Sequence, residues 1–249
     1  MSKNSEGTGP QRAEAVLEAL RGEADPERAA HSLGFFKCGP GEYGEGDRFL
    51  GVTVPAQRAI ARRFRNLSLK ECERLLEDEY HEARLTGLII LTLKMGEAQK
   101  EPELLEAIVS LYLRKTDRIN SWDLVDTSAP KILGPYLEER DRSVLDRLAA
   151  SHSLWENRIA MLTTQHLIRR GETGDALRIA EALVDHPHDL MHKAVGWMLR
   201  EVGDRDRDAL ERFLLAHRKT MPRTSLRYAL EHLPKEERAR HMRPGSKRG

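Results

Sequence analysis

Five segments of similar pattern recur along this chain of 249 residues. Each begins with a basic or polar residue and continues with small and apolar residues. The segments begin at Arg84, Ser121, Arg158, Lys193 and Arg227. Neighbouring segments are therefore separated by 34 to 37 residues. Apolar residues recur at spacings of three and four through most of the chain, and this spacing predicts helices.

A period of about 35 residues with two helices per unit is typical of helical-repeat proteins. The spacing of Trp, Gly and Tyr does not fit the tetratricopeptide pattern, so a HEAT-like repeat is favoured. We predict an all-α fold, a HEAT-like helical-repeat solenoid with a concave face. Helices that match in phase should line one face together, so their basic residues are expected to form one stripe.

Proline and glycine predict where individual helices begin and end. Helix starts are expected at Pro55, Pro102 and Pro222. Helix ends are expected at Gly96, Gly171 and Gly203.

Composition indicates a soluble globular chain with few special constraints. One third of the residues are charged, yet the formal net charge is only +1, so an anionic partner has to be met by a local basic surface. No run of 18 apolar residues and no secretory signal is present, and the two cysteines lack a metal-binding spacing. We expect a cytoplasmic protein with one domain over residues 11–240, a disordered tail at 1–10 and a disordered basic tail at 241–249.

The segment Ile119–Asp126 combines an indole with a carboxylate. Trp122 and Asp126 are four residues apart, so on a helix both side chains meet on one face. Pro130 lacks the N–H that would bond the Asp126 carbonyl, so the helix should end or kink there. The alternative is that Trp122 belongs to the core and Asp126 caps a helix beginning near Pro130.

Two further segments repeat this combination of aromatic and charged residues. Gly196 and Trp197 lie within a predicted helix, where a glycine suggests the close approach of a neighbour or a ligand. Arg158 follows Trp122 by one repeat, and its planar guanidinium suits phosphate. The alternatives are a core role for Trp197 and a surface ion pair of Arg158 with Glu156 or Glu172.

Other candidate motifs are weaker. The glycine-rich stretch 39–46 lacks the Gly-Lys-Ser/Thr ending of a phosphate-binding loop and carries acidic residues, so an ordered turn is favoured. Arg58 and Arg62 share one face of the helix near Pro55, either as anion contacts or as a solvated face. His188 and His192 have chelating spacing without the rest of a zinc motif, and Asp185 or His186 is expected to cap the next helix. We predict no metal site.

At these residues the chain resembles the AlkD family of bacterial DNA alkylation-repair glycosylases, which are built of HEAT-like repeats. The resemblance runs from about Phe35 to Pro234. Its most specific parts are the segments Phe35–Asp47, Trp122–Asp126, Trp155–Arg158, Lys193–Glu201 and Met221–Ala229.

The resemblance implies roles for individual positions. The family's catalytic aspartate falls on Asp126, and its cleft residues fall on Trp122, Trp197 and Arg158. A backbone-contacting arginine falls on Arg58. Some members have a threonine before the proline where this chain has Val54, and lysines where it has His166 and Ile168. The residues expected to bind the DNA backbone on the concave face are Arg58, Arg62, Arg169, Arg170, Lys193 and Arg227.

The implied activity is hydrolysis of the N-glycosidic bond of cationic alkylpurines, such as 3-methyladenine and 7-methylguanine, in double-stranded DNA. The family needs no cofactor, and we expect a monomer associated with the nucleoid. Two alternatives remain open at this point. In the first, the chain is a DNA-binding module without catalysis. In the second, it is a HEAT-like scaffold for protein partners.

Overall fold

The computed structural model describes residues 11–242, and within them it contains helices and no strand. An isolated bridge between Arg48 and Tyr80 is the one β-type pairing of this range. The predicted tail at residues 1–10 lies outside the described residues, as does 243–249. The last helix ends at Met242, two residues beyond the boundary expected from the sequence. The predicted all-α, helical-repeat fold is confirmed.

The contacts divide the chain into two compact units, and the boundary between them falls after Ser128. From the sequence we expected one domain over residues 11–240. In the first unit the helices are α1 (Ala13–Gly22), α2 (Pro26–Phe35), α3 (Val54–Arg63), α4 (Leu69–Leu76), α5 (His81–Glu97) and α6 (Pro102–Arg114). Short 3-10 turns at Ala98–Lys100 and Thr116–Arg118 flank α6. Helix α7 (Trp122–Tyr136) begins in this unit and ends in the next.

The second unit contains three successive pairs of helices and a final short helix. They are α8 (Ser143–Ala149), α9 (Leu154–Arg169), α10 (Gly174–Ala182), α11 (Asp189–Arg205), α12 (Arg207–His217), α13 (Arg223–Ala229) and α14 (Lys235–Met242). The second helix of each pair packs on the second helix of the next, so that α9 contacts α11 and α11 contacts α13. Four of the five repeated segments begin within α5, α9, α11 and α13, and Ser121 directly precedes α7.

The second helices supply much of the core because they are buried on nearly all sides. In α5 every residue from His81 to Leu91 is buried, and in α9 every residue from Asn157 to Gln165 is buried. Both runs include charged or polar side chains. A buried charge is tolerated only with compensating partners, so these side chains must find ionic or hydrogen-bonding partners inside the protein.

The predicted helix starts and ends lie within one or two residues of the observed ones. Gly171 follows α9 with φ +89°, and α6 and α13 begin at or next to the expected prolines. Gly96 and Gly203 lie in the last turns of their helices, since α5 ends at Glu97 and α11 at Arg205, one and two residues beyond them. Gly203 serves packing, since a Cβ there would lie 2.4 Å from Leu210 Cδ2 on α12.

Helix α7 contains Pro130 and Pro135 and runs on to Tyr136. Asp126 therefore lies inside a helix that begins at Trp122. The alternative in which Asp126 caps a helix beginning near Pro130 is wrong. Among residues 11–242, no helix combines the length and apolar character needed to cross a bilayer.

Gly196 shows how tightly the second helices pack. A Cβ at this position would lie 2.5 Å from the Ser225 carbonyl oxygen and 2.5 Å from Tyr228 Cβ. The close approach inferred from the sequence is thus that of α13. Backbone atoms cannot move aside as a flexible side chain can.

We expect Gly196→Ala to lower the free energy of unfolding by about 1–3 kcal/mol, because overpacking outweighs the helix propensity gained. Gly96→Ala is the matched control, since Gly96 is also helical and a Cβ there would meet nothing within 4 Å. The control should be neutral or stabilising by up to about 1 kcal/mol. Urea unfolding of both variants measures the difference, and equal effects would contradict the packing argument.

Candidate functional site

A buried histidine joins two carboxylates in the first unit. His81, the first residue of α5, is 2% exposed. Its Nδ1 lies 2.8 Å from Asp47 Oδ2, and its Nε2 lies 2.8 Å from Asp123 Oδ2. With a carboxylate facing each ring nitrogen, both nitrogens act as donors, and the ring is an imidazolium.

Electrostatics favours this charged state. Burial lowers the pKa of His81, but the charges and hydrogen bonds of Asp123 and Asp47 outweigh burial and raise that pKa to about 9. Burial raises the pKa of Asp47, yet His81 and Arg84 bring it below its usual value. Arg84 Nη2 donates to Asp47 Oδ1 at 2.6 Å. The cluster thus holds two cations and two anions, which is how buried charges are tolerated.

The glycine-rich stretch builds this cluster from the other side. Asp47 directly follows this stretch. Two carboxylates within the stretch accept hydrogen bonds from its backbone: Glu42 accepts from Gly39 N and Glu45 from Gly41 N, both at 2.9 Å. A Cβ on Gly44 would lie 2.4 Å from the Phe36 carbonyl oxygen. The stretch is therefore an ordered turn, as predicted, and it brings Asp47 to His81.

An aromatic cluster surrounds the histidine and ends at Trp122. Phe36 stacks on Trp122, with ring centroids 5.6 Å apart and an interplanar angle of 18°, and on Phe49 at 5.0 Å. The His81 ring is 4.8 Å from both phenylalanines. Phe35, 59% exposed, meets Trp122 edge-on at 6.0 Å. Trp122 is half-buried, with its position set by these rings.

The two carboxylates of the Trp122–Asp126 segment have different surroundings. Asp123 is engaged by His81. Asp126 is half-buried and lies one helical turn after Trp122, on the same face of α7. Burial raises the pKa of Tyr112, and the negative charge of Asp126 raises it further, although a hydrogen bond with Ser128 acts in the opposite direction. The charge of Asp126 therefore lies close enough to Tyr112 to influence this buried phenol.

A buried carboxylate of α5 fixes the start of α3. Glu82 is 3% exposed and accepts hydrogen bonds from three consecutive backbone N–H groups. These belong to Leu50, Gly51 and Val52, at 3.0, 2.8 and 3.2 Å. Thr53 then caps α3 by accepting from Ala56 N. Glu82 thereby orients the helix that carries Arg58 and Arg62.

In the second unit, the structure places Arg158 inside the protein rather than on its surface. This side chain of α9 is 5% exposed, and its Nη1 donates to the Leu190 carbonyl oxygen at 2.6 Å. This burial contradicts the surface position that the alternative assumed, and Glu172 is instead 2.7 Å from Arg142. Arg158 joins α9 to the first turn of α11.

Trp197 lies on α11, half-buried. Its Nε1 donates to Glu201 Oε1 at 3.0 Å, one turn along the helix. Lys193, one turn before Trp197, pairs with Asp189 at 2.7 Å. The indole is therefore oriented by its own helix.

The predicted DNA-binding residues differ in their surroundings. Arg58, Arg62, Arg169 and Arg227 are exposed, and their side chains have no polar partner among residues 11–242. Arg170 forms an ion pair with Glu138. The expectation that all phase-matched basic residues share one exposed stripe is wrong for Arg84 and Arg158, because the interior of the protein engages both. The sequence analysis missed His81 and Asp47, and no local pattern distinguished them, because charged residues flank both positions.

The described residues hold no group of three or more His, Cys, Asp or Glu side chains that could bind a metal ion. His188 caps α11 by accepting from Leu190 N, whereas Asp185 or His186 was expected to do so. His192 Nε2 lies 2.6 Å from the His186 carbonyl oxygen. Burial raises the pKa of Cys72 to about 12, so this thiol is a poor nucleophile.

The His81 cluster predicts a loss of stability at alkaline pH. A pKa raised from 6.5 to about 9 means that protonation stabilises the folded state fully below pH 6.5, and that this contribution disappears as pH rises through 9. We expect the free energy of unfolding to fall by about 2–3 kcal/mol between pH 7 and 10. Denaturant unfolding at several pH values measures this, and His81→Gln should remove most of the dependence. An equal dependence in both proteins would show that His81 does not carry it.

Comparison with known proteins identifies the family of the chain. The family model described as DNA alkylation repair enzyme matches residues 16–233. No curated protein matches the chain. Among solved structures, the fold is similar to that of a predicted DNA alkylation repair enzyme from Enterococcus faecalis, with a TM-score of 0.65 and 16% identity over 86% of this chain and 98% of that one. Because the family model spans most of its length, this chain belongs to the DNA alkylation repair enzyme family.

Proposed function

We propose that this protein is an AlkD-like DNA glycosylase that hydrolyses the N-glycosidic bond of cationic alkylpurines, such as 3-methyladenine and 7-methylguanine, in duplex DNA. One observation carries the proposal. Asp126 lies on the same helical face as Trp122, whose ring is held by an aromatic cluster. Membership of a DNA alkylation repair family supports this assignment.

The reaction requires little acid catalysis, because an alkylated purine already carries a positive charge. When the bond between C1′ and the base nitrogen breaks, its electrons neutralise the leaving base and leave an oxocarbenium ion on the sugar. Water then adds to C1′ and releases a proton, giving a free base and an abasic site. The group that the enzyme must supply is a negative charge near C1′.

Asp126 is suited to that role. A carboxylate about 4 Å from a unit positive charge contributes about 4 kcal/mol at an effective dielectric constant of about 20. This corresponds to roughly a thousandfold in rate. The faces of Trp122 and Trp197 contribute about 0.5–2 kcal/mol each towards a cationic sugar or base. Asp123 is a weaker candidate, because His81 neutralises it.

The remaining site residues bind or position. Arg158 acts on α11, the helix of Trp197, and we assign it a positioning role. The residues that bind the DNA backbone are Arg58, Arg62, Arg169, Arg170, Lys193 and Arg227. Arg170 and Lys193 must exchange a surface carboxylate for a phosphate, which costs little because exposed ion pairs are worth about 0–1 kcal/mol. The enzyme acts as a monomer on cytoplasmic, nucleoid-associated DNA without a metal or organic cofactor.

Base release from alkylated duplex DNA tests the proposal. An oligonucleotide duplex with one 7-methylguanine is incubated with excess protein, and free base is measured by chromatography. We expect release well above the spontaneous rate, with affinity that falls as salt rises. Duplex binding without release would favour the non-catalytic DNA-binding module. A protein with neither property would fit the scaffold alternative.

Asp126→Asn should lower the single-turnover rate of base release by about 100- to 1,000-fold, because it removes the charge and keeps the shape. Duplex affinity should change by less than about threefold. Asp117→Asn is the matched control, since Asp117 is exposed and its side chain has no partner among the described residues. The control should retain the wild-type rate.

Stability separates a catalytic role of Asp126 from a structural one. The variant Asp126→Asn should unfold within about 1 kcal/mol of the wild type. Full activity of Asp126→Asn would refute the assignment of this residue even if the protein releases bases. A large loss of stability would instead indicate that the carboxylate supports the fold.

A further inference from the structure

A cavity of about 720 Å³ lies at the last helices of the second unit. It is lined by residues of α11, α13 and α14 and by the connection between the last two helices. The lining includes Arg200, Arg227, Tyr228, Glu231, Lys235 and Arg238. This volume is within the usual range of ligand sites, about 300–1,000 Å³.

The cavity is strongly basic in a chain whose net charge is only +1. Four cationic side chains line it, against the single carboxylate of Glu231. Arg200 already pairs with that carboxylate. The side chains of Arg227, Lys235 and Arg238 have no polar partner among residues 11–242. All three are exposed to solvent, so together with Arg200 they create a local positive potential that attracts anions.

Arg200 is the least exposed of the four cations that line the cavity. Its Nε is buried and has no hydrogen-bond partner within the described part of the chain. Because Nε exposes almost no surface, a ligand in the cavity would meet the outer nitrogens of this guanidinium, one of which pairs with Glu231. A phosphate oxygen is the acceptor that best fits a planar guanidinium.

The wall formed by α14 is held in place by polar contacts. Arg223 Nη1 donates to the Met242 carbonyl oxygen at 2.9 Å, and His241 Nε2 lies 3.0 Å from Glu211 Oε2. Arg207 also pairs with Glu237. The basic side chains of α14 therefore face the cavity from a fixed helix.

We propose that this cavity binds phosphodiester groups of a nucleic-acid strand. The cations hold the phosphates, and Tyr228 and Met242 give an apolar surface for the sugars and bases. The inference rests on the proposed function, because its ligand is the DNA on which the enzyme acts. It adds a contact on α14, a helix to which the sequence analysis assigned no role.

The salt dependence of duplex binding tests the site. The probe is an undamaged fluorescent duplex, and the double variant Lys235→Gln/Arg238→Gln removes two cavity charges. Each lost phosphate contact lowers the slope of log affinity against log salt by about 0.9. The slope should therefore fall by about 1.8, and the affinity lost between 50 and 200 mM salt should shrink about tenfold.

The control is Arg147→Gln/Arg212→Gln, which removes the same charge from exposed arginines on α8 and α12. It should keep the wild-type slope, and melting temperatures confirm that both double variants are folded. An unchanged slope in the cavity variant would overturn the inference while leaving the proposed function intact. Failure of the wild-type protein to bind duplex would refute both.

A second arm separates a nucleic-acid strand from a small phosphate. Inorganic phosphate is titrated while the melting temperature of wild type and cavity variant is followed. Stabilisation of the wild type alone by millimolar phosphate, together with equal duplex slopes, would assign the cavity to a small phosphate and overturn the strand assignment. Reduced duplex slope in the cavity variant supports it.

Discussion

The imidazolium of His81 between two carboxylates is the interaction on which the first unit depends. It connects the glycine-rich stretch, the start of α5 and the start of α7, which are far apart in sequence. The same ring packs against Phe36 and Phe49, so the ion cluster and the aromatic cluster share one member. The orientation of Trp122 is consequently set by charge pairing and by ring packing together.

The acidic residues near the indole differ in their partners. Asp47 and Asp123 accept hydrogen bonds from the buried imidazolium of His81, and their negative charges stabilise the fold. Asp126 lies one turn beyond, on the face that carries Trp122. His81 therefore neutralises Asp47 and Asp123, whereas Asp126 is not one of the partners of its ring nitrogens.

Much of the fold followed from periodicity, and much of the site did not. The repeat interval located the second helices because helix pairs impose a regular spacing on buried residues. Single glycines located helix ends to within one or two residues, as at Gly203, two residues before the end of α11. The position of Arg84 was predicted wrongly, because a basic residue on a helix is expected at the surface as long as its buried partner is unknown. Asp47 lies 37 positions away, beyond any local pattern.

Glu82 illustrates a further property of such buried carboxylates. The three N–H groups of Leu50, Gly51 and Val52 form a cradle shaped for an anion, and the protein fills it with its own side chain. In a Glu82→Ala variant these three N–H groups would lack their acceptor, so a small carboxylate from solution could bind in its place. Formate or acetate would then restore the missing hydrogen bonds by chemical rescue. The attachment of α3 to α5 would consequently depend on the concentration of that anion.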